Sequence, residues 1–194
     1  MANIKLHNDE ISRWHDNGIY APARLIDCMD EISETKAKQV IKNIRLLDFV
    51  SDGDITILMA TEGGSVTWGM EIVDAVKECN SKVIIHIVGP CWSMGAIIAQ
   101  SADHIKMSEN ATMMIHTGQE EYPEDHPLNT ERWVKENKRM GDIADNILFE
   151  KIKKKKPRFT KKQFDALLIF DTILPAKKAI EMGLVDEIAE HKEF

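Results

Sequence analysis

The sequence is short of cysteine, of long apolar runs and of positive charge. Cys28, Cys79 and Cys91 are its three cysteines, at irregular spacing. An odd number so placed makes no disulfide framework, and free thiols suit a reducing compartment. Seven histidines are present, but no His-Glu-x-x-His and no Cys-x-x-Cys, so no metal site is predicted. No apolar run approaches the ~20 residues that span a bilayer. Residues 1–14 are polar and mixed in charge, without the apolar stretch of a signal peptide. The expectation is a cytoplasmic protein. A formal net charge of -7 argues against binding duplex DNA, which needs a clustered basic surface.

What is present is a core. Of 194 residues, 43% are hydrophobic, enough for one domain, and neither a repeat nor a Gly/Ser linker divides residues 1–194. Apolar positions recur at helical spacing over residues 32–47, among them Val40, Ile41 and Ile44, and again over 68–79. Residues 55–60 and 83–88 are short runs rich in β-branched side chains. The first ends at Thr61-Glu62-Gly63-Gly64, and Gly89-Pro90 is read as stopping the second. Residues 94–101 are apolar and helical in length, and 111–115 are strand-like, ending at His116. Continuous apolar strands alternating with helices predict an α/β fold of repeated β-α-β units, its parallel sheet covered on both faces. Residues 118–129 form an acidic, proline-containing stretch. Residues 130–156 then read as one long helix with Trp133, Met140, Ile143, Ile147 and Leu148 along it. That is more apolar surface than one side of a small domain needs, so part of it is expected at an interface. Its lysine-rich end, before Pro157, complements the carbonyl end of the helix dipole, although a docking patch for an acidic partner would read the same.

Three positions at strand ends carry chemistry. Ser93 opens the apolar helix after the β-branched strand. A serine there is an ordinary N-cap, or a nucleophile exposed at a strand-to-helix turn, although Cys91 replaces the first glycine of a G-x-S-x-G elbow. Gly63-Gly64 is a tight turn, or a backbone oxyanion hole in which Gly64 and Met94 supply the N–H donors. His116 is a core histidine, or a general base. Open α/β sheets place their sites on the carboxyl edge of the strands, and all three positions fall on that edge.

Four motifs then carry a resemblance to the Clp protease proteolytic-subunit family. Met59-Ala60-Thr61-Glu62-Gly63-Gly64-Ser65-Val66 with Gly69-Met70 resembles its glycine motif. Gly89-Pro90-Cys91-Trp92-Ser93-Met94-Gly95-Ala96 resembles its serine motif, and Met114-Ile115-His116 its histidine motif. Asp171-Thr172-Ile173-Leu174-Pro175-Ala176, with Ala179 and Gly183-Leu184-Val185-Asp186, resembles the segment holding the catalytic aspartate. They occur in family order between Met59 and Asp186.

The resemblance implies a crotonase-like fold with a protruding handle-like helix; within residues 118–156, read as acidic loop and handle, the acidic stretch 118–129 has no clear counterpart in the family. It implies a serine endopeptidase with Ser93, His116 and Asp171 as triad and Gly64 and Met94 as oxyanion hole. It further implies two stacked rings of seven, unfolded polypeptide as substrate and an AAA+ unfoldase as partner. No cofactor is expected, ATP being used by the partner. Asp165 competes with Asp171, but only Asp171 has the right spacing to Ala179 and Gly183. Asp171 follows Leu167-Leu168-Ile169-Phe170 and is expected to emerge from a buried run. Two other functions stay open: a non-proteolytic ring subunit, and a crotonase-type acyl-CoA enzyme. The chain departs from the family at Glu62, where proline is usual, at Trp92, where a small residue is usual, and at Thr117-Gly118, where Gln-Pro is usual. Residues 1–23 also match poorly, which points to a divergent, virus- or prophage-type member.

Overall fold

The structure, a computed structural model, describes residues 16–118 and 127–189. Strand β1 (Ile19–Tyr20) turns through a short 3-10 segment into antiparallel β2 (Leu25–Met29). Helix α1 (Glu34–Val50), β3 (Ile55–Thr61), α2 (Val66–Lys77) and β4 (Val83–Trp92) follow, and then α3 (Met94–Ala99), β5 (His104–Ser108) and β6 (Thr112–Ile115). The chain continues through α4 (Pro127–Lys155), α5 (Lys161–Leu168), β7 (Thr172–Pro175), α6 (Ala176–Met182) and β8 (Glu187–Ala189). These strands form one sheet in the order β1-β2-β3-β4-β5-β8, with β6 alongside β4 and β7 antiparallel to β6.

The helices start where local chemistry says they should. Ser33 and Ser65 each accept a hydrogen bond from the backbone N–H three residues on, capping α1 and α2. Thr160 and Gln163 form a reciprocal capping box at α5. One core joins Val40 and Ile44 of α1 and Ile72 and Val73 of α2 to Ile55, Ile57, Ile85 and Ile87 of the central strands.

Two expectations need correction. Gly89-Pro90 does not end β4. Met59 pairs with Ile87 and Thr61 with Cys91, so two steps along β3 match four along β4. The extra residues make a bulge, and a bulge accommodates a proline that has no N–H to give to the ladder. Past it the strand changes neighbour: Ile84–Ile87 pair with β5, whereas Pro90, Cys91 and Trp92 pair with β6. The sheet is also not sealed on both faces. Ile55, Ile57, Met59 and Thr61 are buried, but Thr56, Leu58 and Ala60 between them are only partly so. The apolar run is continuous in sequence and alternating in burial.

Helix α4 begins at Pro127, earlier than the spacing predicts, and runs for 29 residues, ~43 Å at 1.5 Å per residue. Its buried residues, Ala144, Leu148, Phe149 and Ile152, all lie in the second half. Leu128, Trp133, Val134 and Ile143 are exposed, so the first half stands off the core. At the basic end, Lys153 lies over the Phe149 ring and Lys156 reaches the Met182 sulfur. Most of the acidic stretch, residues 119–126, lies outside the described residues, as do residues 1–15 and 190–194. Among the described residues no helix is long and apolar enough to cross a membrane.

Candidate active site

The bulge in β4 delivers Ser93 to the junction with α3. Its backbone sits at φ 50, ψ -118, a region that non-glycine residues rarely occupy and that costs ~1–3 kcal/mol. Its N–H is held by the Met114 carbonyl at 2.8 Å. The hydroxyl makes no capping bond to α3. Instead, Ser93 Oγ lies 2.8 Å from His116 Nε2. The strained turn thus turns the hydroxyl away from the helix and towards the imidazole.

His116 follows β6, and Asp171 precedes β7. The antiparallel pairing of Ile115 with Thr172 sets these two side by side, with His116 Nδ1 3.1 Å from Asp171 Oδ1. Two contacts pin the loops: Thr172 Oγ1 donates to the Leu167 carbonyl at 2.6 Å, and Thr117 N–H donates to the Leu168 carbonyl at 2.9 Å. Asp165 is elsewhere, in an exposed pair with Lys161 at 2.9 Å.

The surroundings of Asp171 differ from expectation. Helix α5 ends at Leu168, the last buried residue of the run. Ile169 is 68% exposed, Phe170 78% and the Asp171 side chain 65%. The apolar residues before Asp171 belong to a projecting turn, so its carboxylate is largely open to solvent beside the imidazole.

Gly63 and Gly64 have φ of +105 and +142, which explains two glycines here. A Cβ on Gly63 would lie 2.8 Å from Ser93 Cβ and 3.2 Å from Met94 N, so the glycine strand passes directly beside the serine. Ile32 N–H donates to the Gly63 carbonyl, and Ser65 N–H donates to the Ile32 carbonyl. In such a parallel bridge the intervening Gly64 directs its own N–H away from Ile32. Gly63 N–H is occupied by Thr61 Oγ1 at 3.1 Å. Met94 opens α3, so its N–H has no acceptor within the helix.

The neighbours of Ser93 are accounted for. Cys91 is fully buried, its Sγ 3.5 Å from Met59 Sδ. Burial pushes its thiol far above the usual range, which disfavours a thiolate there. Cys28, also buried, is pushed up to about 12. Trp92 donates its indole N–H to Thr112 Oγ1 at 3.0 Å, which ties the ring to β6. Among the described residues no group of three or more His, Cys, Asp or Glu side chains is placed to hold a metal ion.

The family model described as Clp protease matches residues 12–192. The ATP-dependent Clp protease proteolytic subunit of Lactococcus lactis subsp. cremoris is 32% identical over 182 residues, covering 88% of this chain and 85% of the relative. The subunit of the same description from Streptococcus uberis is 31% identical over 179 residues, covering 88% and 87%. The chain belongs to the Clp protease family. A mutant ClpP1 from Listeria monocytogenes has a similar structure, with a TM-score of 0.76 and 25% identity over 89% of this chain and 94% of that one. The fold is therefore the crotonase-like one of Clp peptidases, and membership makes the chain a serine peptidase. The acyl-CoA alternative is set aside by the same match.

Sequence reasoning missed the opposite wall of the site. A cleft of about 380 Å³ opens beside Ser93 and His116, and its far side is α4, through Lys138, Gly141, Asp142 and Asp145. Spacings of three and four residues place these on one side of the helix. The pattern is visible in the sequence, but nothing there says that this side meets the serine.

Proposed function

We propose that Ser93, His116 and Asp171 are a catalytic triad that hydrolyses peptide bonds of unfolded polypeptides inside a ring-shaped oligomer fed by an AAA+ unfoldase. The observation that carries this reading is the pair of contacts on one imidazole, 2.8 Å to the serine and 3.1 Å to the aspartate. A serine hydroxyl needs an adjacent base at neutral pH. His116 Nε2 takes the Ser93 proton as Oγ bonds to the substrate carbonyl carbon. The developing oxyanion is met by the N–H groups of Gly64 and Met94. His116 then gives the proton to the leaving amine, and water, activated by the same imidazole, releases the acyl group. Asp171 holds Nδ1–H and stabilises the imidazolium without taking the proton. The polypeptide binds as an added strand through its backbone, which loosens sequence preference. Hydrolysis itself calls for no metal or organic cofactor, and ATP is used by the unfoldase.

Exposed Leu128, Trp133 and Val134 on α4 support burial against further copies of the chain. Light scattering is expected to show a large closed oligomer, which degrades an unstructured polypeptide unaided and spares a tightly folded protein until an unfoldase and ATP are added. A monomer that digests folded proteins by itself would contradict the enclosed arrangement.

A further inference from the structure

We infer that Asp145 selects a lysine or arginine side chain at the substrate residue whose carbonyl Ser93 attacks, an inference that rests on the peptidase reading above. The cleft next to the serine is lined by the apolar residues Val66, Met94 and Ile97. It suits the methylene stem of a long side chain. A Cβ added at Gly141 would meet nothing within 4 Å, so the helix leaves the cleft open at that point. Two carboxylates, Asp142 and Asp145, and one ammonium, Lys138, line the same cleft.

Their pairing is unequal. Lys138 Nζ lies 3.0 Å from both oxygens of Asp142, so that carboxylate is already matched. Lys161, the other cation whose field reaches Asp145, is 2.9 Å from Asp165 and lies over the Phe164 and Phe149 rings. Among the described residues no cation stands within ion-pair distance of Asp145 itself. Its side chain is partly buried, and desolvation raises its pKa, with Asp142 and Asp165 adding to the effect against Lys161 and Lys138. A partly desolvated carboxylate without a partner is costly, and a bound cation recovers that cost.

The same placement disfavours other occupants. A short side chain would leave Asp145 unmet, an apolar one long enough to reach it would remove water and give nothing back, and an acidic one would be repelled. Long basic side chains combine an apolar stem with a charged head, which matches a cleft lined both by apolar Val66 and Ile97 and by Asp145. Asp145 is a specificity residue here: it touches substrate and takes no part in the proton transfers.

The test uses the assembled protein and fluorogenic peptides identical except for Lys, Met or Glu at the residue before the cleaved bond. The kcat/KM for Lys is expected to exceed that for Met by about tenfold, with Glu lowest. The Lys preference should shrink as salt is raised. In Asp145→Asn the Lys-to-Met ratio should fall to about one. A wild-type preference for Met, or a Lys preference unchanged by Asp145→Asn or by salt, overturns the inference while leaving the peptidase intact. No turnover of any peptide, together with a Ser93 that a serine-reactive probe does not label, overturns the peptidase reading and this inference with it.

Discussion

Ser93→Ala is expected to reduce peptide hydrolysis to background while leaving fold and assembly unchanged. The hydroxyl makes no capping bond to α3, so its removal costs the helix nothing. The strained backbone is held by Ser93 N–H and the Met114 carbonyl, a bond that alanine retains. What disappears is the atom that attacks. His116→Ala should fall to a similarly low rate, because a nucleophile without its base is as ineffective as a base without its nucleophile, and the double variant should be no worse than either single one. Steady-state turnover of one fluorogenic peptide by all three variants, each checked for assembly, measures this. A double variant several orders of magnitude slower than both single ones would mean that the two residues act independently.

The second large effect separates two aspartates. Asp171→Asn should lower kcat by up to about ten-thousandfold, because an amide cannot balance the imidazolium and favours the wrong tautomer of His116. Asp165→Asn removes only an exposed pair with Lys161 and should leave kcat within about twofold. The exposure of Asp171 sharpens the comparison. With 65% of its side chain in water, its influence comes through the single 3.1 Å contact and not through a buried field, so it should act on kcat with little change in folding stability. Loss of activity in Asp165→Asn with normal turnover in Asp171→Asn would reassign the third residue.

The parts of this arrangement that can be read from sequence are those in which neighbours along the chain determine the outcome. The run Val83–Val88 is largely β-branched and extended, Met94–Ala99 is apolar and of helical length, and the serine between them must sit at a strand-to-helix turn. Gly63-Gly64 after a strand announces positive φ, which both residues have. The rest depends on partners distant in sequence. Gly89-Pro90 looks like a terminus because glycine and proline usually end strands, yet β3 and β6 continue the pairing on either side. Leu167-Leu168-Ile169-Phe170 looks like a buried run, but α5 ends after Leu168 and the next two residues face outward. The approach of α4 to the cleft is set by how a long helix lies against β-α-β units, and its own periodicity fits several placements. Asp145 is accordingly just one of many charged residues until the cleft is seen.

The central claim is that Ser93 is an activated nucleophile, and covalent capture tests it most directly. The assembled protein is treated with a fluorophosphonate, digested and mapped by mass spectrometry. A single adduct is expected on Ser93, formed rapidly in the wild type and absent from Ser93→Ala. It should be strongly slowed in His116→Ala, because the reagent reacts only with a hydroxyl whose proton is being taken. A wild-type protein that hydrolyses peptides while Ser93 stays unmodified, or that labels equally fast without His116, would contradict the account.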